Sequence, residues 1–269
     1  MRYINRILAF LLAGCVLMSG CGKERPIETV ESTEELSSEE YNGETQESIA
    51  AAPNLPAMEA LTWENKEDTN LAGLLQENGA SMMVQLEAGG HIGSGVLLTV
   101  EEEQLIIITA AHVLENAQDY VRVTFFDDYG IVSRDYELFP ENDIGIVRLD
   151  WNDIPAENGK NYCHALVSYE RYDRLEAGDT CIAMGSLTGV AEEAYEGTVQ
   201  DPMVLIEDYK QYMILVQCEG KPGMSGGGLF DEEGYLIGIL SGVNEAGQVA
   251  CIPLHTIRNI VNGILNISL

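Results

Sequence analysis

The residues best suited to chemistry stand at three places in the chain. Gly223-Met224-Ser225-Gly226-Gly227 sets a serine among glycines, where the backbone can approach a substrate closely and aim successive N–H groups at one point. Upstream, Ile106-Ile107-Ile108-Thr109-Ala110-Ala111-His112-Val113 ends an apolar run in small residues and then a histidine. Asn142-Asp143-Ile144-Gly145-Ile146-Val147 opens a second apolar run with an aspartate. A serine hydroxyl needs a base to take its proton, and the base needs an acid to hold its tautomer. Ser225, His112 and Asp143 are the residue types that acyl transfer requires.

Chain order separates two uses of such a serine. Gly223 to Gly227 also satisfies Gly-x-Ser-x-Gly, the turn of α/β-hydrolases, whose acid and histidine come after the serine. Here 44 residues follow Ser225, His255 falls within a helical pattern, and no strand-helix alternation is present to build a doubly wound sheet. The order His, Asp, Ser is a different solution to the same chemistry.

These residues must be held by strands. Apolar or β-branched runs at 81–86, 95–100, 104–109, 121–126, 131–138 and 144–149 predict six of them. After a polar stretch at 150–159, runs at 180–184, 196–200, 203–206, 213–217, 227–230, 235–240 and 249–252 predict a second β unit of similar size. The end alone reads as a helix, with Pro253 at an N-terminal position and Leu254, Ile257, Ile260, Val261 and Ile264 at spacings of three and four. A chain of 269 residues accommodates one ordinary globular domain with attachments.

The attachments are at the front. Arg2 and Arg6, an apolar stretch from Ile7 to Met18, and Ser19-Gly20-Cys21-Gly22 predict a signal peptide over 1–21, and the small residues before the cysteine resemble the lipobox of bacterial lipoproteins, which implies acylation of that cysteine. Cys21 is the preferred lipidation site. Leu12-Ala13-Gly14-Cys15 is the better match by letter and makes Cys15 the alternative, with a shorter apolar core. Residues 22–57 hold Lys23 and Arg25 against nine Glu, with little to bury, and predict a disordered acidic tether. The folded part is therefore expected over 58–269, and it too is acidic: of the net charge of -30, the signal carries +2, the tether -7 and residues 58–269 -25.

Fourteen Lys and Arg against 44 Asp and Glu argue against a nucleic-acid partner and against electrostatic docking on anionic membrane. No metal or other cofactor is expected, because no Cys-x-x-Cys pair exists and the four His are scattered at 91, 112, 164 and 255. Cys163, Cys181, Cys218 and Cys251 allow three pairings, among which the sequence does not choose.

The segments Gly93-Ser94-Gly95-Val96-Leu97, Thr109-Ala110-Ala111-His112, Asp143-Ile144-Gly145-Ile146-Val147, Gly223-Met224-Ser225-Gly226-Gly227 and Gly238-Ile239-Leu240-Ser241-Gly242 occur in one order. Together they resemble the trypsin-like serine peptidases, most closely their bacterial HtrA-like branch, over about residues 80–266. The resemblance implies an all-β fold of two six-stranded antiparallel barrels, at about 80–150 and 160–252, followed by a terminal helix. It implies a serine endopeptidase acting on proteins or peptides, including unfolded ones, and the N-terminal signal with its lipobox-like cysteine implies a place outside the cell on the bacterial membrane. Ser225 would be the nucleophile, His112 the base and Asp143 its orienting acid, with the N–H groups of Gly223 and Ser225 as oxyanion hole. The alternative is a catalytically silent peptidase fold that binds peptides or a protein partner.

The chain also departs from the family pattern. Gly228 stands where many relatives have Pro, which should loosen the following strand. Met224 replaces the Asp that pairs with a freed N-terminus in animal trypsins, so activation by cleavage is not expected. With Leu269 closing the helical pattern, no PDZ domain is expected. Glu219, with Ser241 and Gly242, falls where trypsin-like enzymes build their specificity pocket; a carboxylate there would attract Lys or Arg at the cleavage site, unless Lys221 neutralises it.

Overall fold

The computed structural model describes residues 55–187, 192–244 and 246–265. The signal peptide, both candidate lipidation cysteines and the tether lie outside the described residues. The chain enters along a strap at 55–68 and a helix, α1 (Leu71–Gly79), neither of which the strand-rich reading anticipated. Asn70 caps the helix by accepting the Gly73 N–H at 3.0 Å, and Leu71, Ala72 and Leu75 face inward. Met58 and Leu61 of the strap are buried, and their N–H groups bond the carbonyls of His164 and Glu233 at 2.9 Å.

The first β unit contains β1 (Met83–Ala88), β2 (His91–Glu101), β3 (Gln104–Ala110), β4 (Val121–Phe125), β5 (Gly130–Ser133), β6 (Asp135–Phe139) and β7 (Ile144–Asp150), with helix α2 (Ala111–Leu114) after β3. Period-two alternation is plain in β4, where Val121, Val123 and Phe125 are buried and Arg122 is exposed. β3 instead lies inside the sheet and is buried from Leu105 to Ala110.

The single strand expected over 131–138 is broken at Arg134. The Ser133 hydroxyl donates to the Arg148 carbonyl at 2.6 Å and accepts the Asp135 N–H at 3.0 Å, so the chain leaves one neighbour for another. β5 then pairs with β4 and β6 with β7, at opposite ends of the order β5-β4-β1-β2-β3-β7-β6. The expected first barrel of six strands is therefore a seven-stranded half-barrel that does not close by hydrogen bonds.

Two short helices, α3 (Ala156–Gly159) and α4 (Tyr169–Tyr172), flank the connection to the second unit. That unit contains β8 (Leu166–Val167), β9 (Thr180–Ser186), β10 (Glu192–Ile206), β11 (Gln211–Gln217), β12 (Gly228–Asp231), β13 (Tyr235–Val243) and β14 (Gln248–Pro253), and ends in α5 (Leu254–Leu265). β12 pairs with both β9 and β13 and closes a six-stranded barrel, with β8 added in parallel beside β13. The runs at 196–200 and 203–206 are one strand: register shifts between Val199, Asp201 and Val204 absorb Pro202, which cannot donate to a ladder. Pro253 closes β14 rather than opening the helix.

The four residues of β12, which Gly228 opens, are all buried. A Cβ there would lie 2.3 Å from the Phe230 ring, so the ring occupies the space that a side chain would need. Cys163, Cys181, Cys218 and Cys251 are buried free thiols. No helix among the described residues is long and apolar enough to cross a membrane.

Candidate active site

Strand pairing brings His112 and Asp143 together. β3 and β7 run antiparallel with Ala110 opposite Ile144, so the residues leaving β3 face those entering β7. The Ala111 N–H bonds the Asp143 carbonyl at 3.0 Å, and the His112 N–H bonds Asp143 Oδ1 at 3.1 Å. His112 Nδ1 lies 3.0 Å from each carboxylate oxygen. Asp143 itself adopts a left-handed φ of 53°, a conformation that Asp tolerates better than most residues.

A fourth residue completes this cluster. The Ser241 hydroxyl donates to Asp143 Oδ2 at 2.5 Å, from a side chain that is almost wholly buried. The sequence placed Ser241 in a pocket wall; its proton goes to the carboxylate. The ring of His112 answers to three influences. Burial opposes its charge, while the hydrogen bond and charge of Asp143, aided by the charge of Glu115, favour it, and the imidazole titrates above its ordinary 6.5. With Nδ1 turned to the carboxylate, Nε2 is left for another partner.

Ser225 arrives from the second unit on a tight turn. Lys221 O accepts the Met224 N–H at 3.1 Å, Pro222 takes the second position, and Gly223 takes the third with φ 94°, which defines a type II turn. Gly226 follows with φ 82°; a Cβ there would fall 2.0 Å from Thr109 Oγ1, so glycine lets the turn seat itself against β3. Its N–H bonds the Leu240 carbonyl at 2.8 Å, which sets Ser225 beside Ser241. The Ser94 N–H bonds the Ser225 carbonyl at 2.8 Å and docks the turn on β2.

The hydroxyl of Ser94 does more than the quoted motif indicated. It is fully buried, donates to the Gly223 carbonyl at 2.7 Å and accepts the Ser186 N–H at 2.9 Å. One side chain of the half-barrel thus holds both the turn and β9. A serine inside an otherwise apolar strand was the visible signal for such a contact. Among the described residues, neither the Gly223 nor the Ser225 N–H has a hydrogen-bond acceptor.

The serine and histidine are not joined by a hydrogen bond among the described residues. The Ser225 hydroxyl reaches the Ser241 carbonyl at 3.4 Å, a weak contact. Catalytic hydrogen bonds are often loose before substrate binds.

Beside Ser225 opens a pocket of about 40 Å³, walled by Ala183, Met224, Leu240, Val243 and Val249. Glu219, Ser241 and Gly242 all line it, as their spacing suggested. The Glu219 side chain, however, is 62% exposed and lies 3.9 Å from Lys221 Nζ. Lys221 bonds Glu193 Oε2 at 2.7 Å and stacks on the Tyr195 ring, a set of contacts that the sequence did not signal.

Fold and site together define the class: the trypsin-like peptidase domain model matches residues 93–239, and the chain belongs to that family. Its curated relatives include the putative serine protease HhoB of Synechocystis sp., 25% identical over 179 residues, spanning 64% of this chain and 40% of that one. The serine protease HtrA-like of Staphylococcus aureus (strain USA300) is 23% identical over 192 residues, spanning 65% of this chain and 23% of that one. The chain thus matches less than half the length of either relative. Among solved structures, the HtrA-type protease AlgW with a tripeptide superposes with a TM-score of 0.57 at 24% identity, over 69% of this chain and 60% of that one. The same protease with a decapeptide gives 0.56 at 20%, over 70% and 65%. These superpositions establish the fold.

Proposed function

We propose that this chain is a serine endopeptidase that hydrolyses peptide bonds through an acyl-enzyme formed on Ser225. The observation that carries this reading is the joining of His112, Asp143 and Ser241 beside a serine on a type II turn. Ser225 Oγ attacks the substrate carbonyl while His112 Nε2 takes its proton. Asp143 holds the imidazole tautomer and stabilises the imidazolium. The N–H groups of Gly223 and Ser225 bind the oxyanion, each contributing about 2.7–4 kcal/mol in the transition state. His112 then returns the proton to the leaving amine, and water repeats the sequence on the acyl group. A change of the Ser225 rotamer, from the Ser241 carbonyl to His112, begins the cycle.

The apolar wall and small volume of the adjoining pocket favour a small aliphatic residue before the scissile bond. Glu219, exposed and facing Lys221, is a weak attractor for Lys or Arg. The relatives in complex with peptides support a peptide or protein substrate. The N-terminal sequence supports action outside the cell, on a lipid anchor at Cys21, with Cys15 as the alternative.

The test is cleavage of a peptide library with the products read by mass spectrometry. Cuts after Ala or Val, absent with Ser225→Ala, are expected; cuts after Lys or Arg would overturn the pocket assignment, and no cuts would count against the peptidase. The turn of the Ser225 hydroxyl toward the Ser241 carbonyl suits a second reading, a silent peptidase fold that binds peptides. Under that reading the library is bound and left intact.

A further inference from the structure

The turn that carries Ser225 is held from β10 as well as from β2. β10 runs antiparallel to β9 with Glu193 opposite Gly185 and Tyr195 opposite Ala183, so these four residues share one face of the sheet. The turn lies on that face: a Cβ on Gly185 would fall 2.9 Å from Met224 Cα, and Ala183 walls the pocket beside Ser225. β9 thus carries only small residues beneath the turn, and the long side chains beside it belong to β10.

Those side chains close on Lys221, the first residue of the turn. Glu193 Oε2 accepts from Lys221 Nζ at 2.7 Å and also from the Tyr195 hydroxyl. The Lys221 ammonium lies 4.8 Å from the centre of the Tyr195 ring, whose face attracts a cation. Glu219 reaches the same ammonium only at 3.9 Å. The hydrogen bonds from Lys221 and Tyr195 hold the Glu193 carboxyl below its ordinary 4.5, so it is ionised wherever His112 is neutral.

The main chain of Lys221 in turn sets the geometry of the turn. Its carbonyl accepts the Met224 N–H at 3.1 Å, and its own N–H meets Met224 Sδ at 3.4 Å. With Pro222 fixing the next φ and Gly223 at φ 94°, the direction of the Gly223 N–H follows from where Lys221 is held. That N–H is one of the two oxyanion donors of the proposed mechanism. We infer that Glu193 is a positioning residue for the oxyanion turn, clamping it through Lys221 with the Tyr195 ring behind. Neither Glu193 nor Tyr195 lines the pocket, and the clamp acts on the reaction only through the turn.

This inference rests on the peptidase reading, and its test keeps the two apart. Hydrolysis of a chromogenic ester is measured for the full chain, Glu193→Gln, Lys221→Met and the double variant, with thermal unfolding to check that each is folded. Glu193→Gln should lower kcat about fivefold, the upper end for a half-exposed pair, and leave KM within about twofold, because the oxyanion donors act in the transition state. The double variant should be no slower than Lys221→Met, as expected of groups acting through one contact. In parallel, exchange of the Met224 amide proton is followed by NMR, which needs no activity, and Glu193→Gln should speed it about fivefold as the turn opens more often. A kcat or an exchange rate within twofold of wild type, a loss carried by KM alone, or losses that multiply in the double variant would overturn the role. A wild-type chain that leaves the ester intact counts against the peptidase reading, and the amide exchange then decides on the clamp alone.

Discussion

The two β units contribute to the site in different ways. The half-barrel supplies His112 and Asp143 from the adjoining ends of two antiparallel strands, just after β3 and just before β7, and four hydrogen bonds from the backbone and side chains of Ala111, His112 and Ser241 fix the aspartate. The closed barrel supplies Ser225 on a backbone turn, and its hydroxyl makes one weak contact. Orientation is thus built into the acid–base pair, while the nucleophile is left free to rotate. Under the proposed mechanism this division is useful: the imidazole must keep one tautomer throughout, and the serine oxygen must move between His112 and the substrate carbon.

The largest effects should come from removing either partner in the proton transfer. Ser225→Ala and His112→Ala are each expected to lower kcat by on the order of 10⁶, and combining them should add little further loss. Single-turnover kinetics on a chromogenic ester would reveal independent contributions if the losses multiplied. Asp143→Asn comes next, with a loss of about 10⁴ because the wrong tautomer is then held.

The same variant tests the charge on the ring. The base must be neutral to act, so kcat/KM should fall as pH drops through the His112 pKa, which lies above 6.5. The hydrogen bond and charge of Asp143 raise that pKa against burial, so Asp143→Asn should move the acid limb to lower pH. An unmoved limb would mean that another group controls it.

Ser94 joins the two units and should show mainly in stability. Ser94→Ala leaves the Gly223 carbonyl and Ser186 N–H without their present partner, a cost of about 1–3 kcal/mol that calorimetry would read as a Tm lower by several degrees. The smallest effect is expected at Glu219, where replacement by Ala should change the preference at the cleavage site by less than about threefold, as for an exposed pair. A larger change in competitive cleavage assays would return the carboxylate to the pocket floor.

The β-rich architecture was legible because strand periodicity is local, and the spacing of His112, Asp143 and Ser225 followed chain order. Closure of a barrel was not legible, because it depends on which neighbour each half of the 131–138 run pairs with, and the chain changes neighbour at Arg134. α1 and the strap were missed because their apolar residues face a surface that exists only once the second unit has folded. Ser241 was named for the pocket wall, which it lines; its hydrogen bond to Asp143 was not legible, because β13 meets the acid only once the two units are packed together.

The central claim is that Ser225 is a competent nucleophile in the folded chain. Fluorophosphonate labelling of the full chain, read by intact mass with Ser225→Ala and His112→Ala alongside, tests it most directly. The account predicts one label per chain on the wild type and none on either variant. A folded wild type that stays unlabelled with denatured casein present, or a label that persists in Ser225→Ala, would contradict it.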